Sequence, residues 1–139
     1  MRHLLLLLSL FGLVACASPL PKPDAQKAWV DMQGTPSALL MAHTLDGLDL
    51  RDGRFFQVPP GKHELVARLQ FEVGYLGGGD LGGGPKQITC YLRVRYDNFV
   101  AGHRYRLEAR PQLMKAQGWL YDDQRNILAR ATVQRCGSF

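Results

Sequence analysis

The chain holds only three cysteines in 139 residues, and Cys16, Cys90 and Cys136 stand too far apart for a Cys-x2-Cys zinc site. His43, His63 and His103 show no His-x3-His spacing, so no metal ligand is assigned. Beyond residue 16 serine is nearly absent. Ser18, Ser37 and Ser138 lie outside any Gly-x-Ser-x-Gly elbow, and no nucleophile–base set is legible, so no catalytic residue is assigned and no cofactor is expected. Gly77-Gly78-Gly79-Asp80-Leu81-Gly82 matches Gly-x-Gly-x-x-Gly by letter. Gly83-Gly84-Pro85 then follows in place of the helix whose amino end would meet a pyrophosphate, which excludes a dinucleotide site. Past residue 14 no apolar run approaches the roughly 20 residues of a membrane span. Charge of one sign is not in large excess: 17 basic residues face 12 acidic, a formal +5, which permits anionic partners without naming one.

What is present begins with a leader. Met1-Arg2-His3 is short and basic, and Leu4 to Val14 is almost wholly apolar. As a helix that run reaches roughly 16 Å at 1.5 Å per residue, too short to span and suited to the core of a secretory signal. Leu13-Val14-Ala15-Cys16 follows. These four residues resemble the lipobox of bacterial lipoproteins. The resemblance implies cleavage after Ala15, a signal peptide over 1–15, and lipid on Cys16. Several acyl chains anchor stably where one binds marginally. The plainer alternative is an ordinary signal that happens to end at a cysteine. In enterobacterial-type sorting an aspartate after the cysteine favours the inner membrane, so Ala17 points to the outer membrane, facing the periplasm. A domain outside the cytoplasm has no nucleic-acid partner. Loss of Arg2 leaves 16 basic against 12 acidic residues, or +4. Pro19, Pro21 and Pro23 disfavour helix over 16–26 and give an extended spacer that holds the domain, 27–139, off the membrane.

The period of the domain is two. Leu65, Ala67, Leu69, Phe71, Val73 and Tyr75 share one face, with Glu64, Arg68, Gln70 and Glu72 on the other and Val66 as the exception. The same alternation sets Cys90, Leu92, Val94 and Tyr96 inward, then Tyr105, Leu107 and Ala109, then Ile127, Ala129, Ala131 and Val133. Lys27 to Gln33 reads as a first strand. Ala38 to Leu45 reads as a strand, with a short helix as the alternative after Thr35-Pro36. Asp46-Gly47, Asp52-Gly53, Pro60-Gly61 and Ala101-Gly102 are turns, and Asp122 to Asn126 is a hairpin tip. The sum is an all-β fold: a small antiparallel β-sandwich of about seven or eight strands.

Phe55 to Leu65, with Pro60-Gly61-Lys62-His63 at its centre, resembles small, largely uncharacterised envelope β-sandwich lipoproteins, as does the later Ala101-Gly102-His103-Arg104-Tyr105. The resemblance implies the sandwich fold and a turn-closing, structural His63, and no chemistry. With Cys16 consumed by lipid, Cys90 and Cys136 remain in an oxidising compartment, which predicts a disulfide between them. Cys136 has the wrong parity for the core face, and a bulge or a strand end near Gln134 would remove that conflict. Two free thiols or an intermolecular bond are the alternatives.

Arg68, Arg93, Arg95, Arg104, Arg106, Arg110 and Arg130 all fall on outward faces. If their strands are neighbours they form one basic surface, with Arg93, Arg95, Arg104 and Arg106 as the candidate ligand-binding set for lipopolysaccharide phosphates, phospholipid or an acidic protein. The plainer reading is a solvated face with cross-strand ion pairs. Asp122–Asp123 reads as turn chemistry rather than a catalytic pair. Gly77 to Gly84 reads as a connector, or as a partner-contacting loop. The expected function is a non-catalytic, lipid-anchored accessory protein for an envelope partner protein or an anionic envelope component. A small periplasmic hydrolase is the alternative.

Overall fold

The computed structural model describes residues 17–74 and 84–139; the leader, Cys16, Tyr75 and most of the Gly77–Gly84 segment lie outside the described residues. All regular structure among the described residues is strand. In chain order the strands are β1 (Ala28–Gln33), β2 (Ala38–Leu45), β3 (Leu48–Asp49), β4 (Phe55–Val58), β5 (Gly61–Val73), β6 (Lys86–Phe99), β7 (Arg104–Gln112), β8 (Lys115–Tyr121), β9 (Ile127–Arg130) and β10 (Thr132–Gly137). They form two five-stranded sheets, ordered β4-β1-β7-β8-β9 and β10-β6-β5-β2-β3.

The all-β expectation holds, with three differences in detail. The described residues form ten strands, more than the seven or eight expected, and one of the additional strands arises because Ile127–Val133 is split in two. Ala131 donates to the Gly118 carbonyl at 2.8 Å, and there the chain leaves β9 in the first sheet for β10 in the second. A register shift in the β8–β9 pair also places Leu128 against the core and leaves Ile127, expected inward, 61% exposed. The sheets are not wholly antiparallel either. β1 runs parallel to β7, with Trp29 opposite Arg104 and Gln33 opposite Glu108. A parallel pair needs a long crossover, and here β2 to β6 supply it.

The core is the interleaved inner faces. Leu65, Ala67, Leu69 and Phe71 of β5 and Ile88, Cys90, Leu92 and Val94 of β6 meet Val30, Phe56, Val58, Leu107 and Leu120 from the first sheet. Each large side chain buried this way stabilises the fold by about 1.5–3 kcal/mol. Val66 faces outward yet is buried, lying between Thr44 and Arg93 in the sheet.

Turns follow the local residues. Asp46 (φ 50°) and Gly47 (φ 80°) are both left-handed, the type I′ requirement of a two-residue hairpin loop. Gly61 and Gly102, also left-handed, feed β5 and β7. His63 closes the first of these: Nδ1 lies 2.6 Å from Asp46 Oδ2 and Nε2 lies 3.3 Å from the Pro60 carbonyl. Tyr105 closes the second, its hydroxyl accepting from the Val100 amide at 3.0 Å. Burial pushes the Tyr105 phenol pKa up.

Cys136 pairs directly with Cys90 across β10 and β6, and their sulfurs are 2.04 Å apart. The parity conflict is resolved by a register shift between Val133 and Arg135, which makes Gln134 the extra residue. The proline-rich segment does not stand clear of the domain. The Ser18 carbonyl accepts from Arg54 Nη1 at 2.7 Å, and the Asp24 amide donates to Gln57 Oε1 at 3.0 Å, so the segment runs back along β4.

Candidate functional site

The outer face of the first sheet is built in two parts. Around β1, Trp29 is only 4% exposed although it points away from the core, because Phe55 stacks on it at 4.3 Å and Arg104 lies 5.8 Å over its ring. Asp31 binds this cluster together. It accepts from Trp29 Nε1 at 2.9 Å and from Arg104 Nε and Nη2 at 2.6 and 2.9 Å, a bidentate pair. The Arg104 guanidinium therefore holds the Asp31 carboxyl below its usual range.

Beside the cluster, where β1 ends, a groove of about 740 Å³ opens between the Gly34–Pro36 turn and the outward side chains of β7 and β8. Gly34 allows that turn: a Cβ there would come within 2.6 Å of the Ala38 carbonyl oxygen. Alternation along β7 delivers Arg106, Glu108 and Arg110 to the groove, and alternation along β8 delivers Trp119 and Tyr121. The β8–β9 tip adds Arg125. Asp122 shapes that tip, accepting from the Gln124 and Asn126 amides at 2.9 and 2.8 Å and from Asn126 Nδ2 at 2.9 Å, while Arg125 takes a left-handed φ of 66°. The Asn126 contacts hold the Asp122 carboxyl below its usual range. The Asp122–Asp123 pair thus serves the turn.

Glu108 lies 3.2 Å from Arg106 Nη1 and 3.9 Å from Arg125 Nη2. Arg110 has no carboxylate partner among the described residues; its guanidinium sits 5.1 Å over the Trp119 ring. The groove therefore sets three guanidiniums and two aromatic rings against one carboxylate. Thr35 Oγ1, on a residue of the same wall, is buried with no hydrogen-bond partner among the described residues.

The four candidate arginines do not share a surface. Arg104 and Arg106 lie on the first sheet, Arg93 and Arg95 on the second, so their strands are not neighbours. Only Arg106 lines the groove. Arg104 is spent on Asp31 and Arg95 on Glu64 at 2.6 Å, which are the cross-strand ion pairs of the plainer reading. Arg93 lies between Val66 and Thr132 in the register of the second sheet. Arg110, Arg125, Trp119 and Tyr121 were not in the candidate set. The Gln117–Trp119–Tyr121 alternation carries their signal, but only the pairing of β8 with β7 makes it readable as a site. His43 lies on β2, His63 on β5 and His103 in the turn before β7, and the described residues contain no cluster of three or more His, Cys, Asp or Glu able to hold a metal. No helix among the described residues is long and apolar enough to cross a membrane.

No protein-family profile, curated protein or solved structure matches this chain. The groove can bind an anion through guanidinium N–H groups and pack a flat or apolar surface on its rings.

Proposed function

We propose that this chain is a non-catalytic binding module, tethered through lipid on Cys16 to the periplasmic side of the outer membrane, that holds an anionic component of the envelope. The observation that supports it is the groove's imbalance: Arg106, Arg110 and Arg125 face a single carboxylate, Glu108, beside Trp119 and Tyr121. Charge-assisted bonds to an anion are shorter and stronger than neutral ones, and they weaken with salt where they are exposed. An acidic protein would use the same groups.

The test has two arms. Cys16→Ser protein should remain unprocessed and lose normal outer-membrane fractionation; normal maturation and fractionation of that variant would rule out the tether. The mature domain without its acyl chains should bind vesicles of phosphatidylglycerol and phosphatidylcholine more tightly than vesicles of phosphatidylcholine alone, and the difference should shrink as salt rises. Equal binding to both would sink the anionic reading.

A further inference from the structure

We propose that the groove between the Gly34–Pro36 turn and strands β7 and β8 is a site for a sugar ring bearing a phosphate. This deepens the anion-binding reading and rests on it. The volume of about 740 Å³ lies within the range of small-molecule sites and leaves room for a hexose with a charged substituent.

The phosphate end follows from unspent donors. Each guanidinium has five N–H groups. Arg106 donates one of them to Glu108 at 3.2 Å. Arg125 approaches Glu108 only to 3.9 Å, a charge contact beyond hydrogen-bond reach. Arg110 has no carboxylate partner among the described residues and is held by Trp119 at 5.1 Å. Subtracting Glu108 leaves two positive charges, the match for a phosphate monoester dianion, and guanidinium forks pair with phosphate oxygens two at a time.

The ring end follows from what remains. Trp119 and Tyr121 line the groove; Arg110 already covers one face of Trp119, and the negative quadrupole of an aromatic face favours electropositive C–H groups, as on the flat side of a hexose. Glu108 keeps acceptor capacity for a hydroxyl after its contact with Arg106. Inorganic phosphate would use the arginines and leave the rings and acceptors idle, while an uncharged sugar would leave two cations unmatched. A phosphorylated sugar uses both ends.

The probes are glucose 1-phosphate, glucose, inorganic phosphate, galacturonate and adenosine monophosphate, titrated calorimetrically into the processed, full-length mature chain. Glucose 1-phosphate should bind at least about tenfold more tightly than glucose or inorganic phosphate, the loss expected when one charged hydrogen-bond pair is absent. Galacturonate binding as tightly as glucose 1-phosphate would replace phosphate by carboxylate and overturn that half of the proposal. Tighter binding of adenosine monophosphate, or phosphate alone equalling glucose 1-phosphate, would overturn the sugar half. Arg110→Gln and Arg125→Gln should each weaken glucose 1-phosphate binding by about tenfold, and Tyr121→Leu should weaken it while sparing inorganic phosphate. Arg93→Gln, on the other sheet, should change nothing; an equal loss there would overturn the site. If no probe binds but the salt-sensitive vesicle binding persists, the sugar assignment fails alone. If both are lost, the broader anion-binding reading falls with it.

Discussion

Two hollows on opposite faces of the sandwich use similar residues to different ends. On the second sheet, a space of about 410 Å³ is lined by Asp46, Lys62, His63, Glu64 and Arg95. Its polar groups are spent on one another: Arg95 meets Glu64 at 2.6 Å, His63 Nδ1 lies in hydrogen-bond contact with Asp46 at 2.6 Å, and Lys62 lies 3.8 Å from Asp97. The groove on the first sheet has the same polar character but one carboxylate for three guanidiniums, and it adds two aromatic rings. An arginine on a strand face says little by itself. What its neighbours in the sheet leave unneutralised decides whether it is available to a ligand. The sheets differ in construction as well. The second is wholly antiparallel and is stapled by Cys90–Cys136, whereas the first encloses a parallel pair and has no cross-link among its described residues.

The staple gives the largest expected effect. Replacing both Cys90 and Cys136 by serine should destabilise the domain by up to about 4 kcal/mol, from the loss of a 46-residue closed loop. Amide protection should fall first along β10 and β6. Uniform loss over both sheets, measured by hydrogen exchange, would erase the contrast in construction. Thiol labelling of denatured, unreduced protein should find neither cysteine free.

A smaller loss is expected where the first sheet hands its chain to the second. A Cβ at Gly118 would stand 3.1 Å from the Glu108 carbonyl oxygen and 3.2 Å from Ala131 Cβ. Gly118→Ala should destabilise by about 1–3 kcal/mol in a denaturant titration, the usual range for overpacking. No change would show that the β8–β9 edge yields freely.

The faces themselves are separated by a paired exchange. Arg106→Gln with Arg110→Gln should reduce binding to anionic vesicles by about tenfold, while Arg93→Gln with Arg95→Gln should reduce it less than about twofold. Equal losses would restore a single basic surface.

The smallest effect is acid sensitivity. Asp31 has its pKa lowered in the folded state, first by Arg104. Its contribution to stability is therefore present above its unfolded value near 3.8 and is lost as pH falls through the lower folded value. Asp31→Asn should flatten that part of the stability curve, read as urea midpoints below pH 4. An unaltered slope would show that the Trp29–Arg104 cluster does not depend on the charge.

Much of this architecture was legible in the sequence because alternation reports which side of a strand is dry. β5, β6 and β7 show their inner faces as expected, and Asp46-Gly47, Gly61 and Gly102 turn where their backbone freedom is needed. Even the odd parity of Cys136 was a readable sign of the bulge at Gln134. Alternation is silent about neighbours, however. A parallel and an antiparallel partner leave the same pattern on β1, so nothing in Ala28–Gln33 reveals β7 beside it. The grouping of the arginines therefore could not be read. The hairpin between β7 and β8 was also hidden. Its tip is Leu113-Met114, exposed and without glycine or asparagine, and Leu113 takes a left-handed φ of 54° that its side chain does not advertise. Without that hairpin the pairing of Glu108 with Trp119, and with it the groove, was out of reach.

The parallel pair at the centre of the first sheet also orders events in time. β1 is the first of the described strands in chain order, yet its neighbours are β4 and β7, and Trp29 cannot meet Arg104 until the five strands between them have been made. β5 and β6, by contrast, are consecutive, and neighbours along the chain pair at little entropic cost. Topologies rich in distant pairings fold on the order of milliseconds to seconds rather than microseconds. Ala28, Trp29 and Val30, all buried in the finished fold, have no strand partner until β4 follows, and the other edge of β1 stays open until β7 is made. Such strands are prone to aggregate, so the opening residues of the domain are where a chaperone or a folding mutation would exert the greatest leverage on yield.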